Sequence, residues 1–354
     1  MEPRYGVRVT DARGSAGRGR RRGELTVANI ARLAGVSPPT VSRVLNGRSG
    51  VATDTRRRIE DLLREHGYRR PAMVAPSPGV EVVFYHLHSD IAIEMMRGVQ
   101  EVLKDHDLSV GFIDVLACAW PDRSWTDYLL ARRPIGVIAT HPHFTSDQLA
   151  QLSASRIPLV ALDPTGQPDH EMASVGAANW SGAVAATRHL LNLGHRRIGV
   201  IGGPDSFLCA RERLEACRAA METAGVPVDP RLVRTGRFFF EDGLTLGGEL
   251  LGRSDRPTAV LCGNDLQALG LYEAARLAGL RIPDDVSVVG FDGVGVTNWC
   301  GPPMTTVRQP FREMGAAAAS LLLTLIAGQT PAHTRIELPT TLVVRGSTAP
   351  PASG

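Results

Sequence analysis

Two sets of polar residues stand where their types and spacing could do chemistry. The first is compact: Thr40, Ser42 and Arg43 sit close behind Ser37-Pro38-Pro39 and just ahead of Asn46. Arginine carries a planar fork of donors that matches the O6/N7 edge of guanine, and Ser, Thr and Asn hydrogen-bond phosphates or base edges. The second set is dispersed. Asp163, Asn264-Asp265 and Asp292 each follow a short apolar run, and Arg213 and Phe238 lie between them in the chain. Carboxylates, an amide, an arginine and a flat aromatic suit a sugar, whose hydroxyls take paired hydrogen bonds while the apolar ring face stacks.

Reaction chemistry has no comparable footing. G-x-S-x-G, H-E-x-x-H, a P-loop and a dinucleotide fingerprint are all missing from the sequence. Gly290-Phe291-Asp292-Gly293 has the wrong spacing, and Gly202-Gly203-Pro204 lacks the Lys and Ser/Thr. His86/His88 and His141/His143 alternate as strand residues on one face would. No Cys or carboxylate partner stands at a set spacing, so no metal site is expected, and no cofactor.

The compact set needs a helix to present it. Val27–Ala34 reads as a helix with Thr26 placed to cap its start and Gly35 to end it. A second helix runs from Pro38 to Asn46, with Ser37 as N-cap and Pro38 at the first helical position, where a missing N–H costs nothing. A third runs from about Thr53 to His66. Ala34 and Gly35 are small enough for a tight crossing, and Ile30, Leu33, Val36, Val41, Val44 and Leu45 are the expected core. That leaves Pro38, Pro39, Thr40, Ser42, Arg43 and Asn46 on or near the outer face of the second helix, where a major groove would receive them. Arg56-Arg57-Arg58 would add salt-dependent affinity for a phosphate backbone.

The dispersed set needs strand ends. Apolar runs at 82–87, 110–115, 136–139, 159–162, 198–201, 258–262 and 286–291 alternate with amphipathic stretches such as 91–104, 182–192, 210–223, 266–278 and 311–327. Strand–helix alternation over some 265 residues predicts a parallel, doubly wound α/β body, too long for one sheet and so split into two lobes with a cleft. In such sheets ligands bind beyond the carboxyl ends of strands. Duller readings compete. Asp292 before Gly293 could be a turn residue, and Asp265 is expected to cap the helix that starts at Leu266. Arg211 could pair with Glu215, Phe238 to Phe240 could be strand core, and Trp180 and Trp299 are expected to pack.

Charge divides the chain in the same way. Residues 1–70 carry 16 arginines and 7 acidic side chains, a net of +9, which leaves −6 on the remaining 284 out of a whole-chain +3. A basic head on an acidic body is the footprint of a nucleic-acid module joined to something else. The expected organisation is a disordered basic tail (1–23), a DNA-binding head (24–70), a Pro-rich linker (71–79) and a ligand-binding body (80–348). No apolar run is long enough to span a membrane, and no secretion signal is read at the N-terminus. The five cysteines, Cys118, Cys209, Cys217, Cys262 and Cys300, form no CxxC pair, as expected for free thiols in the cytoplasm.

From Val27-Ala28-Asn29-Ile30-Ala31 through Ala34-Gly35-Val36-Ser37 to Thr40-Val41-Ser42-Arg43-Val44-Leu45-Asn46-Gly47, the chain resembles the helix-turn-helix signature of the lactose-repressor (LacI/GalR) family. Thr55-Arg56 and Gly67-Tyr68 also fall where that family has them, and the resemblance runs to about Thr348. It implies a small helix-turn-helix head on a two-lobed body of the periplasmic-binding-protein type. It also implies a transcriptional repressor that binds a palindromic operator as a homodimer, through its body, and is controlled by a small effector. A mono- or disaccharide is the leading effector class, with a purine as the alternative. Arg213, Asn264 and Asp292 match the family's effector contacts, Asp163 matches another, and Phe238 falls where an aromatic stacks. Thr26, Ser37, Pro38, Pro39, Thr40, Ser42, Arg43 and Asn46 are the implied DNA contacts. The family's hinge helix contains a minor-groove Leu. Here Arg69-Arg70-Pro71-Ala72-Met73-Val74-Ala75-Pro76-Ser77-Pro78 has none. Either Met73 or Val74 serves as the wedge, or the site is bent less. An enzyme on an α/β core would need one of the missing motifs, and a transport-linked binding protein would need a secretion signal and no DNA-binding head.

Overall fold

The structure, a computed structural model, describes residues 27–45, 50–65, 79–85, 87, 90–116, 124–140, 144–164, 166 and 172–352. The chain divides into two compact units at Pro76/Ser77.

The first unit holds three helices: α1 (Val27–Ala34), α2 (Pro38–Leu45) and α3 (Thr53–Glu65). Gly35 turns the chain between α1 and α2. Its φ of +66° is a left-handed conformation that costs glycine little, and it lets Val36 N–H reach back to Ala31 C=O at 2.9 Å. The core is Ile30, Ala31, Ala34, Val41, Val44 and Ile59, with Val36, Val51, Leu62 and Leu63 packed against it. Leu33 is a correction to the expected core, because it is 52 % exposed. The inner face of α1 is the stripe Ile30-Ala31-Ala34, and Leu33 lies about 100° off Ala34 around the helix. Ile59 of α3 supplies the missing bulk.

The second unit is two six-stranded sheets flanked by helices. The N-terminal lobe contains β1 (Gly79–Phe84), α4 (Asp90–Leu103), β2 (Ser109–Asp114), α5 (Trp125–Arg132), β3 (Gly136–Thr140), α6 (Ser146–Ser155), β4 (Leu159–Leu162) and β5 (Ala173–Ala177). The C-terminal lobe contains α7 (Asn179–Asn192), β6 (Ile198–Gly202), α8 (Leu208–Thr223), β7 (Val233–Thr235), α9 (Phe240–Leu251), β8 (Ala259–Cys262), α10 (Asp265–Leu277), β9 (Ser287–Asp292) and β10 (Thr305–Arg308). The chain then returns, placing α11 (Phe311–Ile326) and β11 (Arg335–Leu338) in the first lobe and β12 (Thr341–Val343) in the second. The sheet orders are β11-β5-β4-β3-β1-β2 and β12-β10-β9-β8-β6-β7. Every pairing is parallel except β10 with β12.

Strands β3, β8 and β9 are buried throughout, as central strands covered by helices on both faces must be. One face of the first sheet packs on α4 and α11 around Val82, Met95 and Met314, and the other on α5 and α6 around Val83, Leu129 and Leu152. The second sheet is sandwiched likewise, by α7 and α8 on one side and α9 and α10 on the other. Each expected apolar run is a strand, displaced by three residues at most at either end. No helix of the described residues is long and apolar enough to cross a membrane.

Candidate functional site

On the head, α2 presents Pro38, Pro39, Ser42 and Arg43 on its exposed side, with Thr40 half-buried. Ser37 and Thr40 hydroxyls hydrogen-bond each other at 2.9 Å across the first turn of that helix. The burial of Val41 and Val44 turns Pro38, Pro39, Ser42 and Arg43 outward. Arg57 and Arg58 are exposed on α3, whereas Arg56 is half-buried. Thr26, Asn46 and Met73 lie outside the described residues, as do the basic tail and most of the linker.

In the body, the carboxyl ends of both sheets open on one cavity of about 420 Å³. Tyr85, Asp90, Thr140 and Asp163 line it from the first lobe, and Phe207, Arg213, Phe238, Asn264 and Asp292 from the second. All five residues expected in a ligand set are therefore in one wall system.

Arg213 is the most constrained of them. It is 8 % exposed and projects from the first turns of α8. Its Nε and Nη2 donate to Asn179 Oδ1 at 2.9 and 2.8 Å, and Nη1 donates to Gly263 C=O at 2.6 Å. The guanidinium lies over the Phe291 ring at 3.7 Å and stands 3.8 Å from Asp292 Oδ1. Asn179 is itself fixed, since its Nδ2 donates to Ala177 C=O at 3.1 Å. The fork is thus held in one orientation by the protein's own contacts.

Asp292 closes β9 at φ 119°, with its carboxylate accepting from Gln309 Nε2 at 2.7 Å and its carbonyl from Gln309 N–H at 3.0 Å. Asp163 closes β4 at φ 51°, and Phe238 precedes α9 at φ 68°. The other non-glycine residues at positive φ among those described, Asp107, Arg133 and Arg156, simply end helices. A left-handed conformation costs a residue with a side chain about 1–3 kcal/mol, and away from helix ends it is met here only in the cavity wall. The Phe238 ring lies flat against Gly203, where a Cβ would come within 2.0 Å of it, and meets Phe207 edge-on at 6.0 Å. Phe238 to Phe240 are therefore not strand core.

Asn264 lines the cavity and also takes the capping role expected of Asp265. Asn264 is the N-cap of α10: its Oδ1 accepts from Gln267 N–H at 2.9 Å, while its Nδ2 donates to Phe238 C=O at 3.0 Å. Asp265 is wholly buried behind the wall. Gly293 and Val294 N–H donate to its Oδ2 at 2.7 and 2.9 Å, and the Thr306 hydroxyl to its Oδ1 at 2.6 Å. Burial pushes its carboxyl up to about 8, the neighbouring Asp292 adds to that push, and the three donors pull back. It anchors the corner after Asp292 instead of capping a helix. Cys209 also faces the cavity, but burial pushes its thiol up to about 12, so it packs as an apolar group.

Other expectations are corrected. Arg211 donates to Asp205 C=O at 2.5 Å, and Glu215 pairs instead with Arg218. Trp299 is 80 % exposed, against the expectation that it packs, Trp180 is about half covered, and neither lines the cavity. Asn179, Phe207 and Gln309 were not anticipated. Two of them had a readable signal, because Gln309 directly follows β10 and Asn179 follows β5 by two residues. His86, His88, His141 and His143 lie outside the described residues.

Residues 26–71 match the model of "Bacterial regulatory proteins, lacI family", and residues 187–348 match a periplasmic binding protein-like domain. The HTH-type transcriptional repressor CytR of Escherichia coli K12 is 31 % identical over 91 % of this chain and 96 % of its own length. The chain belongs to the lacI family of bacterial regulatory proteins. Among solved structures, the complex of transcriptional regulator CelR with cellobiose superimposes with a TM-score of 0.70 at 31 % identity, covering 92 % of this chain and all of that one. The lac repressor dimer bound to operator and the anti-inducer ONPF does so with a TM-score of 0.67 at 29 % identity, over 92 % and 99 %.

As a lacI-family member the chain is a DNA-binding transcriptional regulator with a helix-turn-helix head and a periplasmic-binding-protein-like body. Its relatives are transcriptional regulators.

Proposed function

We propose that this lacI-family regulator is a repressor that binds a palindromic operator as a homodimer, and that a mono- or disaccharide in the cleft sets its operator affinity. The observation that carries the reading is the convergence of Asp163, Arg213, Phe238, Asn264 and Asp292 on a single cavity at the carboxyl ends of both sheets. The cellobiose complex of one relative and the operator-bound dimer of another support the two halves of the proposal.

In this reading α2 enters the major groove. Arg43 takes a guanine edge, and Ser37, Thr40 and Ser42 hold phosphates or neighbouring bases, with Pro38 and Pro39 against the groove wall. Thr26, Asn46 and the linker residue Met73 complete the DNA-contacting set. In the cleft, the Arg213 fork and the carboxylates of Asp163 and Asp292 take hydroxyls, Asn264 offers its remaining amide hydrogen, and Phe238 takes a ring face. The protein is not an enzyme and works in the cytoplasm, where its operator is.

The test is to select binding sites for the purified protein from random-sequence duplexes, then titrate the selected duplex with and without cellobiose, maltose and their monosaccharides. A palindrome with half-sites about one helical turn apart is expected. One of the sugars should change operator affinity about 5–150-fold, the usual span of allosteric coupling. A purine nucleoside that does so while every sugar is silent would overturn the sugar assignment, and the absence of any selected sequence would overturn the operator.

A further inference from the structure

The first turn of α2 is poor in hydrogen-bond donors for a helix that meets DNA. Pro38 and Pro39 occupy its first two positions, so neither has a backbone N–H. The next two N–H groups, those of Thr40 and Val41, both donate to Ser37 C=O, at 2.9 and 3.3 Å. The amide hydrogens with which a helix N-terminus grips a phosphate are therefore absent or engaged across 38–41. The side chains add little. The Ser37 and Thr40 hydroxyls hydrogen-bond each other at 2.9 Å, so one of their two hydrogens lies in that contact.

What the turn presents instead is hydrocarbon. Both prolines are exposed, and so is Arg43. Residues four apart are neighbours on a helix surface, so Ser42 follows Pro38 along one line and Arg43 follows Pro39 along the next. From its N-terminus, the outward face of α2 is two pyrrolidine rings and then a guanidinium. Helix initiation accounts for Pro38 at the first helical position. Pro39 removes a further donor and sets a second ring in line with Arg43.

We infer that Pro38 and Pro39 read the 5-methyl group of a thymine, lying within about two base pairs of the guanine taken by Arg43. The inference rests on α2 being the groove-entering helix proposed above. Every base edge in the major groove offers hydrogen-bonding groups, and thymine alone among the four bases adds an apolar methyl. A proline ring can neither donate nor accept. Against a polar edge it would displace water without replacing the lost hydrogen bonds, whereas against the methyl it buries apolar surface. The spacing follows from the helix rise: four residues advance about 6 Å, and successive base pairs lie about 3.4 Å apart. The same chemistry makes the head sensitive to cytosine methylation, because 5-methylcytosine carries its methyl at the same ring position.

Deoxyuridine tests this, since it differs from thymidine only in lacking the methyl. The full-length protein is titrated at constant salt against the selected duplex, with each half-site thymine replaced in turn by deoxyuridine. Affinity is read by fluorescence anisotropy. Burial of one methyl corresponds to about a fourfold change in affinity, so one thymine per half-site, or two adjoining, should show a loss of that size. It should lie within about two base pairs of the guanine whose preference Arg43→Ala relaxes. Pro38→Ser and Pro39→Ser each remove a ring and restore an N–H, and in at least one of them the deoxyuridine loss should disappear. A second measurement needs no variant. With the same thymine replaced by cytosine or by 5-methylcytosine, the wild-type protein should bind the methylated duplex about fourfold more tightly. Three results would each overturn the inference and leave the operator reading intact. These are no deoxyuridine-sensitive thymine within that distance, a loss undiminished in both variants, and equal affinity for the two cytosines. The absence of any selected sequence would instead remove the operator, and this inference with it.

Discussion

Replacing Arg213 by Met should destabilise the ligand-free protein by about 3–5 kcal/mol. The substitution keeps most of the side-chain volume and removes the guanidinium. Three N–H donors are withdrawn from two buried oxygens, Asn179 Oδ1 and Gly263 O, and the positive charge 3.8 Å from buried Asp292 disappears. Groups left without donors cost about 1–3 kcal/mol each, and a buried carboxylate deprived of its counter-charge adds to that. A body of this size shifts by about 2 °C per kcal/mol, so the melting temperature should fall by about 6–10 °C. Arg213→Lys keeps a charge near Asp292, but a single ammonium cannot span Asn179 and Gly263 together, and a drop of about 2–4 °C is expected. Differential scanning calorimetry of the unliganded variants is the assay. An Arg213→Met shift below about 2 °C would refute the reasoning, because it would mean the guanidinium is not held in place until a ligand binds.

Three further outcomes follow from the same geometry. Gly203→Ala should push Phe238 out of the cavity wall at a cost of about 1–3 kcal/mol and weaken binding of the proposed effector. Gly202→Ala, whose new methyl would sit 3.7 Å from Arg234 O, serves as the tolerated control, and equal effects at both sites would contradict the packing argument. His195 bridges Thr258 Oγ1 and Ala349 C=O at 2.9 Å each, and burial holds its pKa below the ordinary histidine value. The unfolded chain therefore takes up the proton first, and stability is lost as pH falls below about 6.5. The drop in melting temperature between pH 7.5 and 5.5 should be smaller in His195→Gln than in wild type, and parallel curves would remove His195 from the account. On the head, Arg43→Ala should cost about 1–3 kcal/mol on the selected operator and relax base choice at one position. An equal loss on all sequences, read by fluorescence anisotropy, would reassign Arg43 to a phosphate.

The fold was largely legible because parallel strands buried on both faces write themselves as continuous apolar runs, as 159–162 and 286–291 do. The pieces that escaped are those whose burial comes from elsewhere. β5 reads Ala-Ser-Val-Gly-Ala and β10 Thr-Thr-Val-Arg, and neither is apolar enough to announce a strand. Both become strands because a neighbour is already in place, β4 for the one and β9 for the other. The head was misread at Leu33 for a related reason. An eight-residue helix offers too little periodicity to say which of two adjacent apolar residues faces in, and Ile59, distant in sequence, decides it.

The residues of the site were legible where strand ends named them and hidden where the backbone decides the role. Asp292 and Asp163 follow strong apolar runs, so the rule that ligands gather beyond strand ends reached them. The same rule would have reached Gln309 and Asn179 had β10 and β5 been read as strands. The shift of the capping role from Asp265 to Asn264 is of another kind. Both side chains can cap a helix, and the choice falls to Asn264 because its φ of −151° and ψ of 176° are those of an N-cap, while Asp265 already has its backbone in the helix. Phe238 is the extreme case. Propensity assigns three consecutive phenylalanines to a strand, yet Phe238 sits at φ 68° with its ring pressed on Gly203 and its carbonyl held by Asn264. A large side chain in that region is strained by itself and persists only where its surroundings over-determine it. Those surroundings, a glycine 35 residues upstream and an asparagine 26 residues downstream, have no local signature, and they hold the ring in the cavity wall.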